Sequence, residues 1–594
     1  MKTETKPHST GSVSTTCQNC KEDFVIEPED FNFYEKMKVP APTFCPLCRA
    51  ERRFAFRNER KLFKVKDTFT GKEIFSLYPE ESGRKIITQE EWYGDGWDAM
   101  EYAREYDFSR PFFEQFFELQ REVPIYNLNV QRMINSPYSG NATALKNCYL
   151  CFHSNYTEDS MYGSANDHCK DCVDNSHIQY SERCYECFWL EKCYQCYFSI
   201  MCGESHNLFL CRNCLGCNDC FGCANLRKSS YCIFNKQYSK ENYFKEIESM
   251  KLNTIFGLKK MRGKARAFWL TQPTKSQHGL KNLNSTGSHV THCKNVNDSF
   301  LIRGSENMRY CQHMQVPANK DCYDVSNWGE NTELSYETLV CGENAYNMKF
   351  SFNCWPTCTD SEYCMDLFSC SDCFGCVGLK KKQYCIFNKQ YTKEEYYQII
   401  EKIKKQMDDI PYTDKQGLIY KYGEFFPIEF SQSGYNNTVA IQHFPLTKTE
   451  AEKKGYLWVE APQSEYRITI KSSELPNSIP EENEILKEII ECENCKKAYR
   501  IMENELIFLR KENLPLPDLC HDCRYDRRIK DRLSIRSYDQ SCMCGGTLDE
   551  TGIYKNTVKH LHADEPCGEK FKTGHAPENK EIVYCEKCYQ QEVY

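Results

Sequence analysis

The chain has 594 residues, a formal net charge of -8 and 39 cysteines. Its length allows several domains and a large buried core, whereas its negative charge argues against a general attraction to nucleic acid or anionic membranes. The N-terminal residues MKTETKPHSTGSVSTT lack the apolar core of a signal peptide. No run of about 18 apolar residues occurs, so no membrane span is expected. We therefore expect a cytoplasmic protein whose thiols stay free or bind metal.

Two cysteine pairs follow a polar segment, residues 1–16, that we expect to be a disordered tail. The pairs Cys17-x2-Cys20 and Cys45-x2-Cys48 are typical of a zinc ribbon, in which four thiolates form a tetrahedral shell. The same arrangement recurs, with identical spacing, near the other end of the chain as Cys492, Cys495, Cys520 and Cys523. An intact copy near each end indicates duplication of a whole module, and we assign residues 17–56 and 487–530 to zinc ribbons 1 and 2.

Both copies continue as C-x2-C-R-x2-R-R, which makes six arginines candidates for contacts with a partner: Arg49, Arg52, Arg53, Arg524, Arg527 and Arg528. One interpretation is that they contact nucleic-acid phosphates. The other is that they pair with nearby acids such as Glu51 and Asp526. The sequence leaves both open.

The segment CQNCKEDFVIEPEDFNFYEKMKVPAPTFCPLCRAERR, residues 17–53, resembles the probable zinc-ribbon family, and so does the segment 492–528. In that family the four cysteines bind zinc, which the resemblance implies here for both sets. Longer stretches, such as CFGCVGLKKKQYCIFNKQYTKEEY, are similar to large uncharacterised bacterial proteins with several zinc ribbons. That wider resemblance implies no known activity.

A third zinc ribbon is expected at residues 531–594, where Cys585-x2-Cys588 forms a clear pair. Its partners come from Cys542, Cys544 and Cys567, so five thiols compete for four positions. Because C-x-C is a poorer knuckle, Cys567 is a candidate to replace one of that pair. His562 and His575 are further alternatives.

The cysteines from Cys148 to Cys232 fall into columns when the sequence is written 21 to a line, which predicts coils of about 21 residues. A fixed period of about 20 residues is typical of a solenoid, and these Gly-, Asn-, Ser- and Cys-rich segments favour parallel β-coils over helices. We predict a mainly β fold with two solenoid blocks, residues 141–239 and 283–391. The second repeats the first at a constant offset, from Cys211 and Cys232 to Cys364 and Cys385.

The remaining segments connect or cap these blocks. Residues 57–140 are predicted as a mixed α/β connecting and capping region. Its helix begins at Ser109 as N-cap, and its phenylalanines, Phe112, Phe113, Phe116 and Phe117, cover the open end of the first coil. Residues 240–282 form a helical basic segment, which is either a solvated face or a binding surface. Residues 392–410 are a capping helix with a Thr392–Glu395 capping box, and 411–486 are a mixed segment and linker.

These features predict a non-enzymatic scaffold that holds two to three structural zinc ions and binds a protein or a nucleic acid, with no small-molecule substrate inferred. The alternative is a metalloenzyme or a redox or iron–sulfur protein that uses the solenoid cysteines. Cys211, Cys214, Cys217, Cys220 and Cys223 recur at every third position, but the usual C-x2-C-x2-C-x3-C-P run is absent. His289, His292 and His313, near Cys293 and Cys311, are a further candidate metal site.

Overall fold

The computed structural model describes residues 11–326, 329, 332–460, 466–546, 556–562 and 565–594. Helices account for 24% of it and strands for 25%, and the strands form many small sheets. The expectation of a mainly β chain is therefore only weakly supported. Among the described residues, every helix is too short or too polar to cross a membrane.

The described residues form these α-helices: α1 (Pro28–Met37), α2 (Pro46–Phe54), α3 (Gln89–Tyr93), α4 (Phe112–Glu122), α5 (Lys240–Ser249), α6 (Ile255–Leu270), α7 (Lys393–Asp409), α8 (Ala440–His443), α9 (Lys448–Lys453), α10 (Glu503–Lys511), α11 (His521–Ile529) and α12 (Glu586–Val593).

They form these strands: β1 (Val13–Thr16), β2 (Asp23–Ile26), β3 (Phe63–Lys66), β4 (Glu73–Ser76), β5 (Ile86–Ile87), β6 (Ile125–Tyr126), β7 (Val130–Gln131), β8 (Ala142–Thr143), β9 (His206–Phe209), β10 (Asn218–Phe221), β11 (Ser230–Ile233), β12 (Lys236–Gln237), β13 (Pro273–Lys275), β14 (Gly279–Leu280), β15 (Gly287–Thr291), β16 (Lys294–Asn297), β17 (Ser299–Arg303), β18 (Glu306–Arg309), β19 (Lys320–Tyr323), β20 (Ser371–Phe374), β21 (Gln383–Ile386), β22 (Lys389–Gln390), β23 (Tyr412–Thr413), β24 (Ile419–Tyr420), β25 (Ile470–Lys471), β26 (Ile490–Glu491), β27 (Ala498–Tyr499), β28 (Tyr538–Ser541), β29 (Lys570–Thr573) and β30 (Ile582–Tyr584).

The chain divides into two compact units, each assembled from two separate stretches of sequence. Unit 1 consists of residues up to 128 together with 277–460, and unit 2 of residues 129–276 together with 461–594. Ribbon 1 therefore belongs to the same unit as the second cysteine-rich block, and ribbon 2 to the same unit as the first. The order of segments along the sequence does not predict this arrangement, in which each ribbon belongs with the more distant cysteine-rich block.

In unit 2, residues 130–237 form a parallel ladder, here called ladder 1. Each parallel pair joins residues 12 positions apart, from Val130 with Ala142 to Phe221 with Ile233. Every third residue between positions 141 and 228 has a positive φ, so the chain changes direction at every third position. Such a backbone is costly for residues other than glycine, and the cost must be offset by the hydrogen bonds of the ladder.

The cysteines of ladder 1 all follow a residue with positive φ, and they are buried. Their thiols lie close to backbone carbonyls in the interior. Cys187 Sγ, for example, lies 3.4 Å from the oxygen of Tyr185 and 3.2 Å from that of Cys196. Serine at equivalent positions does the same, since Ser199 Oγ donates to the oxygen of Tyr197 at 3.0 Å. The same carbonyls also accept a backbone N–H of the ladder, as Tyr185 O accepts from Phe198 N–H at 2.8 Å. The thiol or hydroxyl is therefore a second donor to each carbonyl, and small side chains with a donor suit these positions.

The 21-residue coil is wrong, because bridged residues of ladder 1 lie 12 apart. Inward positions recur at every third residue, so any multiple of three aligns cysteines in columns, and 21 is one such multiple. In unit 1, residues 279–390 form ladder 2, whose parallel pairs vary in spacing, as in Gly279 with Val290 and Glu306 with Lys320. The two ladders end alike, since Cys220 pairs with Cys232 and Cys373 with Cys385.

Other local predictions have mixed outcomes. Residues 13–16 of the expected disordered tail form β1, which pairs with β2, whereas residues 1–10 lie outside the described part. The N-cap of α4 is Pro111, not Ser109. The phenylalanine face of α4 packs on the end of ladder 2, where Phe112 contacts Phe374 and Phe387, instead of covering ladder 1.

The helices after each ladder begin as predicted. Ser239 caps α5, and the Thr392–Glu395 box caps α7. Tyr243 of α5 contacts Tyr231 in the last parallel strand of ladder 1, and Tyr396 of α7 contacts Tyr384 in that of ladder 2. These helices therefore cover strands at the ladder ends, where unpaired edges need protection.

Candidate metal centres and the arginines behind them

Ribbon 1 brings Cys17, Cys20, Cys45 and Cys48 together, with their sulfurs within 4.8 Å of one another. The sulfurs of Cys20 and Cys45 are 3.8 Å apart. Neighbouring ligands of a tetrahedral zinc with bonds of about 2.3 Å lie about 3.8 Å apart, so the spacing fits a metal. The backbone N–H of Cys45 donates to Cys17 Sγ at 3.2 Å, and Asn19 Nδ2 donates to Cys48 Sγ at 3.2 Å.

Ribbon 2 repeats this geometry with Cys492, Cys495, Cys520 and Cys523. The sulfurs of Cys495 and Cys520 are 3.7 Å apart, the N–H of Cys520 donates to Cys492 Sγ at 3.3 Å, and Asn494 takes the place of Asn19. Burial alone would raise the pKa of Cys492, but the N–H groups of Cys520 and Cys495 lower it to about 7. Such donors favour the thiolate, the form that binds a metal.

The C-terminal segment holds two adjacent groups of ligand atoms. One contains Cys542, Cys567, Cys585 and Cys588, with Cys567 Sγ 3.9 Å from Cys585 Sγ. Cys567 thus joins Cys542 in this group, and Cys544 of the C-x-C pair does not. The other group contains Cys544, His560, His562 and Cys588. Cys588 belongs to both.

His560 was not predicted as a ligand, although the spacing His560-x-His562 was visible in the sequence. His562 was an alternative and lies in the second group. His575 lies apart, since its Nδ1 is 2.5 Å from a carboxylate oxygen of Glu581 and its Nε2 is 3.2 Å from the oxygen of Lys275.

The arginines of ribbon 1 point inward, away from any outside partner. Arg49 and Arg53 both pair with Asp324 of ladder 2, at 3.0 and 3.2 Å. Arg52 pairs with Glu337 at 2.5 Å and with Glu424 at 3.0 Å. At most 1% of each guanidinium-bearing side chain is exposed, so in this structure none of the three can reach a phosphate.

The arginines of ribbon 2 pair with carboxylates of ladder 1 in the same way. Arg524 and Arg528 pair with Asp174 at 2.9 and 3.2 Å, and Arg527 pairs with Glu186 at 2.6 Å. Arg524 also pairs with Glu505, at 2.8 Å. The side chains of Arg524 and Arg528 are buried, whereas 27% of the Arg527 side chain is exposed although it pairs with Glu186. The phosphate-contact interpretation therefore lacks the exposure that it requires at five of the six arginines. The alternative partners, Glu51 and Asp526, are not the partners found in these pairs.

Burial and neighbouring positive charges have opposite effects on the pKa values of these carboxylates. Burial would raise the pKa of Glu186, but the guanidinium groups of Arg527 and Arg262 lower it to about 2. For Glu337 burial prevails and raises the pKa to about 7, although Arg52 and Arg53 act to lower it. The pKa values of Glu186 and Glu337 are thus shifted in opposite directions. Burial also raises the pKa of Asp174 and that of Glu505, which pair with the arginines of ribbon 2.

The basic segment forms ion pairs within unit 2. On α6, Lys259 lies 2.6 Å from Glu493 and 2.5 Å from Asp518, both in ribbon 2. Arg266 pairs with Asp531 at 2.8 Å. These residues form ion pairs with ribbon 2 and with the residue that follows it, although about half of each side chain stays exposed.

The groups of three or more ligand atoms in the described residues lie outside both ladders. The five cysteines at positions 211 to 223 occupy successive inward positions around a turn. Near the other candidate site, His313 Nε2 lies 3.3 Å from His443 Nε2, and the ring of His289 stacks on that of His278 at 5.6 Å.

No protein-family model matches this chain, and no curated protein shows significant similarity to it. The resemblance of residues 17–53 and 492–528 to the zinc-ribbon family therefore stays a prediction.

Proposed function

We propose that this protein is a non-enzymatic scaffold in which zinc fastens three ribbons to two β-solenoids. The observation that carries the proposal is the coupling of the cysteine clusters of ribbons 1 and 2 to buried arginine clusters. Cys45 is the N-cap of α2 and Cys48 lies in its first turn, so a bound ion fixes the start of the helix that carries Arg49, Arg52 and Arg53. Cys520 and Cys523 stand in the same relation to α11.

Zinc is the metal that we propose, because four thiolates in a closed tetrahedral shell are typical of structural zinc sites. The four ligands of each ribbon come from the protein itself, which leaves no open position for a substrate. A structural role follows more directly from this geometry than catalysis does.

For the partner we propose a protein. The six ribbon arginines are occupied by carboxylates of the chain, and its net charge is -8. Both facts disfavour a phosphate backbone as the ligand. Retention of single- or double-stranded nucleic acid at low salt, weakening as salt rises, would contradict this choice of partner.

Metal analysis of the purified full chain tests the proposal. We expect zinc in a fixed ratio of at least three ions per chain and a colourless protein. A brown protein with broad visible absorption would favour the alternative, a redox or iron–sulfur protein that uses the ladder cysteines. Purified chain that folds without metal and does not take up Zn²⁺ would refute the zinc scaffold.

A further inference from the structure

The C-terminal segment contains more metal-ligating atoms than one ion can use. We propose that it holds a pair of divalent metal ions joined by the thiolate of Cys588. One ion binds Cys542, Cys567, Cys585 and Cys588, and the other binds Cys544, His560, His562 and Cys588. The inference deepens the proposed zinc scaffold and rests on it for the first of the two ions.

The spacing of the second group fits a metal. Cys544 Sγ lies 3.1 Å from His560 Nδ1 and 3.5 Å from His562 Nε2, and His562 Nε2 lies 3.2 Å from Cys588 Sγ. Sulfur and nitrogen ligands of one tetrahedral zinc lie about 3.5 Å apart. The nitrogens that face the sulfurs are Nδ1 of one ring and Nε2 of the other, and either nitrogen can bind a metal.

The outer nitrogen of each histidine has a partner of the kind that orients a metal ligand. His560 Nε2 lies 2.9 Å from a carboxylate oxygen of Glu592, and both side chains are inaccessible to solvent. His562 Nδ1 lies 2.7 Å from the backbone oxygen of Glu565. Carboxylates and backbone carbonyls in this position fix the tautomer so that the other nitrogen faces the ion.

The Glu592 carboxylate is itself held in place. Its other oxygen accepts hydrogen bonds from N–H and Oγ1 of Thr557, each at 2.7 Å. Cys588 and Glu592 are separated by one turn of α12, so they lie on the same face of the helix. One helix thus supplies both the shared thiolate and the carboxylate that orients His560.

Sharing of Cys588 follows from the count of ligands. Without it, the second group has three protein ligands and an open position, as in a catalytic zinc site. With it, both groups have four, and both ions are closed off. Cys588 is 1% exposed and Cys544 is 1% exposed, which agrees with a closed, structural pair.

Native mass spectrometry of the full chain loaded with Zn²⁺ tests the number of ions. We expect four per chain, and three in the double variant His560→Ala/His562→Ala. The control is His168→Ala/His206→Ala, which removes two exposed histidines of ladder 1 and should retain four. Three ions in the wild type, or four in the first double variant, would overturn the proposal. Wild-type protein without any ion would instead refute the zinc scaffold itself.

Cadmium substitution tests the shared sulfur without relying on a variant. In protein loaded with ¹¹³Cd²⁺ we expect the C-terminal segment to give two resonances, one from four sulfurs and one from sulfur and nitrogen ligands, split by coupling to each other through Cys588. Two uncoupled resonances would show separate ions and overturn the bridge. The variant His560→Cys/His562→Cys should still bind four ions, but both of these resonances should then be typical of all-sulfur sites.

Discussion

At the scale of single residues, the main feature is a buried arginine paired with a carboxylate of a ladder. Asp174 forms ion pairs with Arg524 and Arg528, and Asp324 forms ion pairs with Arg49 and Arg53. Removing charges from water is costly, and the cost is offset here by pairing each buried charge with a charge of opposite sign. The pairs therefore select one docking position for each ribbon, since a shifted ribbon would leave buried charges unpaired.

Replacing Arg524 with alanine should destabilise unit 2 by about 3–5 kcal/mol, because it leaves Asp174 and Glu505 buried with fewer partners. Hydrogen exchange of ladder 1 peptides under increasing urea measures this loss. Arg467→Ala is the matched control, since Arg467 is exposed. Equal protection in both variants would show that the pair does not hold the ribbon.

Glu337 should make unit 1 less stable as the pH rises. The folded protein keeps the proton of Glu337 up to about pH 7, whereas an ordinary glutamate loses it near 4.5. The folded state therefore binds more protons between these values, so the free energy of unfolding decreases with rising pH across this window. Urea unfolding of wild type and Glu337→Gln at pH 5 and 7.5 should show a smaller pH dependence in the variant.

The contribution of Glu186 to stability changes with pH in the opposite direction, so Glu186 serves as the comparison. Its pKa is lowered from 4.5 to about 2, so its stabilising contribution is complete above pH 4.5 and is lost as the pH falls through about 2. Glu186→Gln should leave the dependence between pH 5 and 7.5 unchanged. The same change of slope in both glutamine variants would contradict the assignment to Glu337.

At the scale of elements, the ladders depend on small interior side chains that can donate. Cys187 has both of its neighbouring carbonyls within 3.4 Å. Ile178, Leu190 and Leu208 occupy equivalent positions without a donor and are fully buried, so the ladder tolerates some apolar residues. Cysteine combines apolar volume with a weak donor, which suits an interior lined by backbone carbonyls.

Replacing Cys187 with serine should lower the free energy of unfolding less than replacing it with valine, if the serine keeps the carbonyl contacts. Cys187→Val should cost about 0.5–1.5 kcal/mol, because it removes the second donor from carbonyls that still accept a ladder N–H. Hydrogen exchange of ladder 1 peptides measures both. A serine variant that loses as much stability as the valine variant, or more, would indicate that apolar packing, not donation, explains the cysteines.

For the ribbons, Cys17→Ser should remove one metal ion, and Cys520→Ser should remove another. Each ribbon then unfolds, since its ligands organise its folding. If each ribbon were an independent metal-coupled folding unit, as the sequence predicts, the ladder would survive intact. Because the arginines of α2 are buried against ladder 2, we now expect ladder 2 to lose protection in Cys17→Ser as well. Unchanged zinc content in either variant would refute the ribbon assignment.

At the scale of the whole molecule, the cysteines fall into two populations with different protection. Thirteen of the 39 lie in the ribbon clusters, and the other 26 lie in the ladders. All but Cys20, Cys495 and Cys567 are buried. Burial raises the pKa of Cys187 to about 12, whereas at Cys223 the thiols of Cys211 and Cys220 outweigh burial and lower the pKa to about 5. The ladder thiols share burial, which keeps reagents away from them.

Thiol labelling should therefore proceed in stages. Native protein should react at few sites, a chelator should add the ribbon thiols, and denaturant should be needed to expose the bulk of the ladder thiols. Mass spectrometry of labelled peptides assigns each stage. Extensive native disulfides would contradict the expectation of free and metal-binding thiols, and ladder labelling before ribbon labelling would contradict the proposed order.

Several local features could be predicted from the sequence. The C-x2-C pairs predicted both ribbon clusters, Ser239 and Thr392 predicted the starts of α5 and α7, and the constant offset between the two cysteine-rich blocks predicted two ladders with matching ends. These features depend on residues close together in the chain or on direct repetition. The spacing of ladder cysteines at every third position was visible too, but it is compatible with many coil lengths, and 21 was the wrong multiple.

The tertiary structure alone decided which distant segments meet. Arg49 and Asp324 are 275 positions apart in the chain, and Arg528 and Asp174 are 354 positions apart. No local sequence feature identifies the carboxylate that pairs with a given arginine, because a charge pair depends on distance in space and on burial. The turn length of the ladders, the exchange of ribbons between ladders and the placement of Cys588 in two ligand groups all depend on packing between segments that the sequence separates.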